Sequence, residues 1–255
     1  MPTDYNHDAA IAYAKHRGAD PAVLAALIAV TEPGSMVLEV GCGTATYLSA
    51  VARETGCACW GVEQAEEMRV AAADGAFTIL AGDAEHLQFA NETFDLVYSV
   101  DVIHHLGDPA DYFREVARVL RPGGRVCTVT DSEDDIRGRR PLSEYFPDTI
   151  AVDLARYPST AALNAAVEAA ELVRDGMMSI KAPHLVRDIA PYRDRAYSCL
   201  HLIGEDAYRE GVQRMEEDLE RGPIEGVRPY RLYWASKPEA PPAEAPEAST
   251  TIPGR

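Results

Sequence analysis

No stretch of this chain holds the ~18 to 20 consecutive apolar residues that a membrane-spanning helix needs. The opening residues, MPTDYNHDAA, have neither the basic start nor the apolar core of an export signal. A cytoplasmic protein with no membrane partner is expected. Basic residues are scarce: 24 Lys and Arg stand against 41 Asp and Glu, a formal net charge of −17. Proteins that hold nucleic acids neutralise phosphates with positive patches that dominate affinity, so a nucleic-acid partner is disfavoured. The single tight basic cluster is Arg137, Arg139 and Arg140. Cysteine is sparse and odd in number, and Cys42, Cys57, Cys59, Cys127 and Cys199 follow no disulfide-framework spacing. They read as reduced, buried thiols. Cys57 and Cys59 alternate in an expected strand and would share one face, but two ligands do not make a zinc site, and no metal is expected.

The chain does have enough apolar material for one substantial core: 255 residues, 47% of them hydrophobic, favour one α/β domain with an embellishment. Residues 36–48, MVLEVGCGTATYL, organise it. An apolar run stops at Gly41 and Gly43 and resumes as a helix, the pattern of a buried parallel strand feeding a helix through a tight turn. Without Cβ atoms these glycines let a ligand touch the main chain, and the first N–H groups of the helix face the same space. Glu63 follows about 20 residues later, at the tip of the second expected strand, where a carboxylate can accept both hydrogens of a ribose diol. Two cofactors suit such a turn. A dinucleotide fingerprint has a third glycine where Thr46 stands, so an NAD-dependent oxidoreductase is the weaker alternative.

From about residue 37 to residue 129 the sequence resembles the class I, Rossmann-like methyltransferases that use S-adenosylmethionine (SAM), whose first motif is similar to VLEVGCGTG. Within these, the general resemblance is to the ubiquinone/menaquinone-type small-molecule methyltransferases. It implies a doubly wound, seven-stranded, mostly parallel sheet with an antiparallel last strand. It further implies that Glu39 and the Gly41–Gly43 turn hold the methionine end of SAM and Glu63 the ribose. Asp83 would accept from the adenine amine while the Ala84 N–H serves a ring nitrogen, with Gln64 flanking the base and Ser99 completing the cofactor set. In this family the segment before the first strand often closes over the cofactor with a tyrosine or arginine, and Tyr5 and Arg17 are the candidates.

Residues 94–100, FDLVYSV, read as the fourth strand, and the loop beyond it, DVIHHL, borders the same crevice. His104 and His105 are the candidates for proton transfer, because imidazole titrates near neutral pH. Residues 98–106 also resemble the corresponding loop of the phosphoethanolamine methyltransferases, in which a histidine matching His105 helps deprotonate the acceptor and an aspartate matching Asp101 lies near the amine; Val100 stands where that pattern has arginine. Asp108 and Pro109 open the next helix, and the family's RVLRPGG turn is present at residues 118–124.

Residues 131–158 read as a long connection covering the site, and residues 184–226 as a helical cap inserted before the last strand. The apolar face of its charged helix at 205–221 suits either a pocket or a homodimer contact. The expected organisation is a methyltransferase domain over 1–237, with an N-terminal lid and helix at 1–30, and a disordered tail at 238–255, rich in Pro, Ala and Glu. The function implied is methyl transfer from SAM to a small-molecule acceptor, leaving S-adenosylhomocysteine; a protein that binds SAM without transferring its methyl is the second alternative.

Overall fold

The computed structural model describes residues 15–16, 18–72 and 74–239. Its centre is β1 (Met36–Val40), a strand buried on both faces because its apolar run is continuous rather than alternating. Beside it lie β2 (Ala58–Glu63) and β3 (Phe77–Ala81) on one side. On the other are β4 (Phe94–Val100), β5 (Leu120–Thr130), β7 (Ile224–Ser236) and β6 (Val173–Val186). The sheet order is β3-β2-β1-β4-β5-β7-β6. β7 runs antiparallel to both neighbours, and the other pairings are parallel. This is the expected mixed seven-stranded, doubly wound sheet. The strand order reverses between β1 and β4, and ligands of such sheets lie outside the carboxyl ends of the strands at that point.

Alternation along the strands builds a core on each face. Val37, Leu96 and Tyr98 face α1 (Pro21–Ile28) and α2 (Thr46–Thr55). Leu38, Val40 and Val97 face α4 (Pro109–Val119) and α8 (Thr160–Ala169), with α3 (Glu66–Val70) leading toward β3. The caps follow the sequence signals. Asp20 accepts from the N–H groups of Ala22 and Val23 at 2.9 and 3.3 Å, and Asp108 from Ala110 at 2.8 Å, each ahead of a proline in the first turn. The backbone N–H of Asp20 also donates to the Tyr47 hydroxyl at 2.9 Å, tying α1 to α2. Thus α1, which the sequence places in an N-terminal lid and helix, is a core helix with Val23 and Leu27 fully buried.

The stretch read as a long connection is helical: α5 (Glu133–Gly138), α6 (Leu142–Tyr145) and α7 (Asp148–Arg156). The β6–β7 ladder continues through His184↔Gly226 to Val186↔Ile224, so the segment between the strands is 187–223 rather than 184–226. It carries α9 (Ala190–Arg193), a 3-10 turn (Ser198–His201) and α10 (Glu205–Arg221). The two segments together form the cap of the cleft and share a third core in which Leu142, Tyr145 and Phe146 meet Tyr192, Leu200 and Met215. Phe146 stacks with Tyr192 at 6.0 Å and fills the space over Gly211, where a Cβ would lie 2.4 Å from its ring. Arg231 of β7 anchors the start of α5: its Nη2 is 2.8 Å from Asp135, itself half of a capping box with Ser132. The described chain ends beyond β7, where Lys237 and Gly123–Gly124 exchange backbone hydrogen bonds at 2.9 Å. No helix among the described residues is long and apolar enough to cross a membrane.

Candidate active site

The carboxyl ends of β1 to β4 open into a cleft of about 1010 Å³ that runs from the glycine turn to the cap. The turn is pinned to β2 by two hydrogen bonds, from the N–H groups of Gly41 and Cys42 to the Val62 carbonyl at 2.7 and 3.0 Å. Gly41 has φ +68°, and a Cβ there would sit 2.5 Å from Val102 Cγ2, so both conformation and space demand glycine. Glu63, 9% exposed, spans the turn: one oxygen accepts from the Gly43 N–H at 2.9 Å, the other from Ala65 at 2.8 Å. Gln64 is exposed at the rim. Asp83 accepts from the Glu85 N–H at 2.9 Å, closing the turn after β3, and Ala84 is buried beside it.

Two expected cofactor residues do not line the cleft. Glu39 is 3% exposed and accepts from the Tyr98 hydroxyl at 3.1 Å across the β1–β4 pair. Burial pushes its carboxyl up to about 8 against the lowering effect of that bond. Ser99 is 1% exposed and accepts from the Tyr112 hydroxyl at 3.1 Å. Both sit one layer behind the cleft, because strand side chains leave perpendicular to the sheet rather than from its end. Tyr5 and Arg17 lie outside the described residues. Nearby, Lys15 and His16 both reach Asp194 of the cap, at 2.9 and 2.7 Å.

Beyond β4 the chain turns sharply. Asp101 has φ +56°, a left-handed conformation unusual for a residue with a side chain, and its N–H donates to the Val129 carbonyl at 3.0 Å. A 3-10 turn (Ile103–His105) follows and presents both histidines to the cleft. His104 stacks on Tyr157, ring centroids 4.1 Å apart and 10° from parallel, while His105 lies tilted against His104 at 4.1 Å. Burial, reinforced by the charge of Arg156, pushes His105 down to about 4, so its imidazole is neutral at physiological pH.

The cap brings in residues that sequence reasoning did not single out as site residues. Asp153, 1% exposed, lies between two guanidinium groups: Arg139 Nη2 at 2.6 Å and Arg156 Nη2 in a still shorter contact. Asp131 Oδ2 stands 3.5 Å from Arg139, and burial pushes its carboxyl up to about 7 although the Arg139 charge opposes this. The one signal in the sequence was the basic cluster containing Arg139. Among the described residues no group of three or more His, Cys, Asp or Glu is placed to hold a metal. The five thiols are buried and free.

Comparison with known proteins places this geometry. A family profile described as a methyltransferase domain matches residues 38–128, the span from β1 into β5. Residues 38–128 are thus similar to a methyltransferase domain. Methyltransferase GfsG of Streptomyces halstedii is 33% identical to the chain over 115 residues, which is 40% of this chain and 41% of that protein. The chain spans less than half the length of the curated relatives it matches. Among solved structures, a methyltransferase from an antibiotic biosynthesis pathway of Anabaena variabilis superposes with a TM-score of 0.66 at 22% identity, over 86% of this chain and 98% of that one. The [4+2]-cyclase SpnF superposes with a TM-score of 0.58 at 20% identity, over 86% and 81%. The fold of the methyltransferase domain is therefore shared with proteins of more than one chemistry, and the acceptor must be argued from the site.

Proposed function

We propose that this protein transfers a methyl group from SAM to a small-molecule acceptor, releasing S-adenosylhomocysteine. The observation that carries the reading is the convergence of Gly41, Gly43, Glu63, Asp83 and Ala84 on one end of a single cleft whose other end is built by the cap. These residues fit an adenosine-bearing cofactor. Glu63 offers two acceptor oxygens to a ribose diol, and Asp83 with the Ala84 backbone offers one acceptor and one donor to an adenine edge. The glycine turn keeps side chains out of the space beside them, since Gly41 already packs against Val102 without a Cβ.

When bound, SAM supplies a methyl group already activated by its sulfonium. The protein's own task is to hold an acceptor atom in line and to remove its proton where it carries one. His105 is the candidate general base, neutral and facing the cleft. His104, held by its stack on Tyr157, is the second candidate and fixes the ring of His105. Asp101 follows β4 at the same rim, where a carboxylate would steady a cationic acceptor.

Calorimetric titration with SAM, S-adenosylhomocysteine and NAD tests the cofactor half. Micromolar binding of both sulfur compounds with no response to NAD is expected; binding of NAD alone overturns the reading. Formation of S-adenosylhomocysteine on screening acceptors tests transfer. Tight SAM binding with no turnover across a broad acceptor panel would favour a protein that uses the bound cofactor without spending its methyl.

A further inference from the structure

We propose that the cap end of the cleft is an oxyanion subsite, and that the acceptor carries a carboxylate or phosphate group received by Arg139 and Arg156. The inference rests on the methyl-transfer reading for the word acceptor, but the subsite itself stands on the cap residues.

The cleft is electrically polarised along its length. Its glycine-turn end is lined by Glu63, Glu66, Glu67, Asp83 and Glu85, with no Lys or Arg in that lining. Its cap end is lined by Arg139, Arg140, Arg156 and Arg228, facing three carboxyls, Asp101, Asp131 and Asp153. Arg140 is paired with Glu144 at 3.2 Å, but in a chain with a net charge of −17 arginine buried inside a cleft still runs against the overall field and calls for a local reason.

The two inner arginines supply it. The side chains of Arg139 and Arg156 are only 11% and 15% exposed, yet they share one buried carboxylate, Asp153. The second carboxyl within reach of Arg139 is Asp131, farther off at 3.5 Å, and burial leaves it only partly ionised near neutral pH. Two buried cations that share a single close carboxylate are expensive, because desolvation of each ion costs several kcal/mol unless charge and hydrogen bonds compensate. An incoming oxyanion completes the balance.

The hydrogen-bond count points the same way. Arg139 Nε and Arg156 Nε and Nη1 are buried and donate to no acceptor among the described residues, and a buried donor left unmade costs about 1 to 3 kcal/mol. A planar guanidinium with donors to spare matches the paired oxygens of a carboxylate or phosphate. Ser198, whose Oγ lies 3.3 Å from Arg156 Nη2 as an acceptor, keeps its own hydroxyl hydrogen for a further bond. Asp153 acts as the fixed post that aims both forks, so the subsite is organised before the ligand arrives.

The test titrates inorganic phosphate and, separately, acetate into the protein by calorimetry at constant ionic strength, with and without saturating S-adenosylhomocysteine; tetramethylammonium chloride is the charge-reversed control. Saturable binding in the phosphate arm or the acetate arm, and none of the cation, is expected, and the responding arm identifies the acceptor's group. Arg156→Gln should weaken that binding by roughly tenfold or more while keeping S-adenosylhomocysteine affinity. Should Arg156→Gln fail to fold by circular dichroism, Arg156→Lys preserves the charge toward Asp153 and should still lose several-fold, since a point charge replaces a fork. The subsite is overturned if neither oxyanion saturates the wild-type protein, or if the folded variant binds it as well as the wild type. Absence of S-adenosylhomocysteine binding would instead sink the methyl-transfer reading, and the titration without it would still report on the arginines.

Discussion

The carboxylate of Glu63 accepts a hydrogen bond from the backbone N–H of Gly43 at 2.9 Å, joining the tip of β2 to the turn after β1 across 20 residues of chain. The residue proposed to receive a ribose therefore also shapes the turn beside it. Glu63→Ala should weaken SAM binding by ~1 to 3 kcal/mol and lower stability by a similar amount, because the N–H groups of Gly43 and Ala65 both lose their acceptor. Calorimetry and urea unfolding on the same sample check this; an affinity equal to wild type removes Glu63 from the cofactor site.

Gly41 and Val102 share one volume. Gly41→Ala should destabilise the protein by ~1 to 3 kcal/mol, from a left-handed conformation unfavourable to alanine and from a Cβ 2.5 Å from the valine methyl. Val102→Ala added to it should relieve the clash but not the backbone strain. A double-mutant cycle in thermal unfolding reads the coupling, and strict additivity would mean that the two side chains do not compete.

His105 should act in its neutral form over the whole physiological range. Its imidazole protonates only near pH 4, so the pH profile of kcat should have no limb near 6.5. His105→Ala should lower kcat by ~10²- to 10⁴-fold with SAM affinity unchanged. A wild-type profile that bends at 6.5 would move the proton transfer to another group.

Glu39 should make stability depend on pH. Its folded pKa, about 8, lies above the ordinary 4.5, so between these values the folded protein holds a proton that the unfolded chain has lost. Stability should fall as pH rises from about 4.5 to 8 and level off above. Glu39→Gln should remove this contribution and be more stable than wild type at pH 8 by ~2 to 5 kcal/mol. Urea unfolding at pH 5 and pH 8 tests it, and parallel pH dependence in the two proteins would show Glu39 ionised in the fold.

The cofactor half was legible because its signals are local. Gly41, the Asp108–Pro109 helix start and the apolar run of β1 each declare their structure within a few residues. Glu39 was harder: the resemblance implies that it meets the cofactor, whereas pairing with Tyr98 buries it. The cap was the least legible part. Helices α5, α6 and α7 are 6, 4 and 9 residues long, too short for helical periodicity to stand out, and their apolar faces are completed by residues some 50 to 70 positions later in the chain. Asp153 and Arg156, spaced i,i+3, have the pattern of a solvated surface pair until that packing buries them.

The hydroxyl of Tyr145 donates to Asp218 at 2.7 Å across a sequence separation of 73, and that span carries an entropic cost. Contacts of such long range must overcome loop-closure entropy before they contribute anything. Here the loop shortens only after β6 and β7 have joined the sheet through their long ladder. The glycine turn, β2 and β3 need no such closure. The acceptor end of the cleft therefore rests on contacts of longer sequence range than the glycine-turn end, and its closure carries the larger entropic cost.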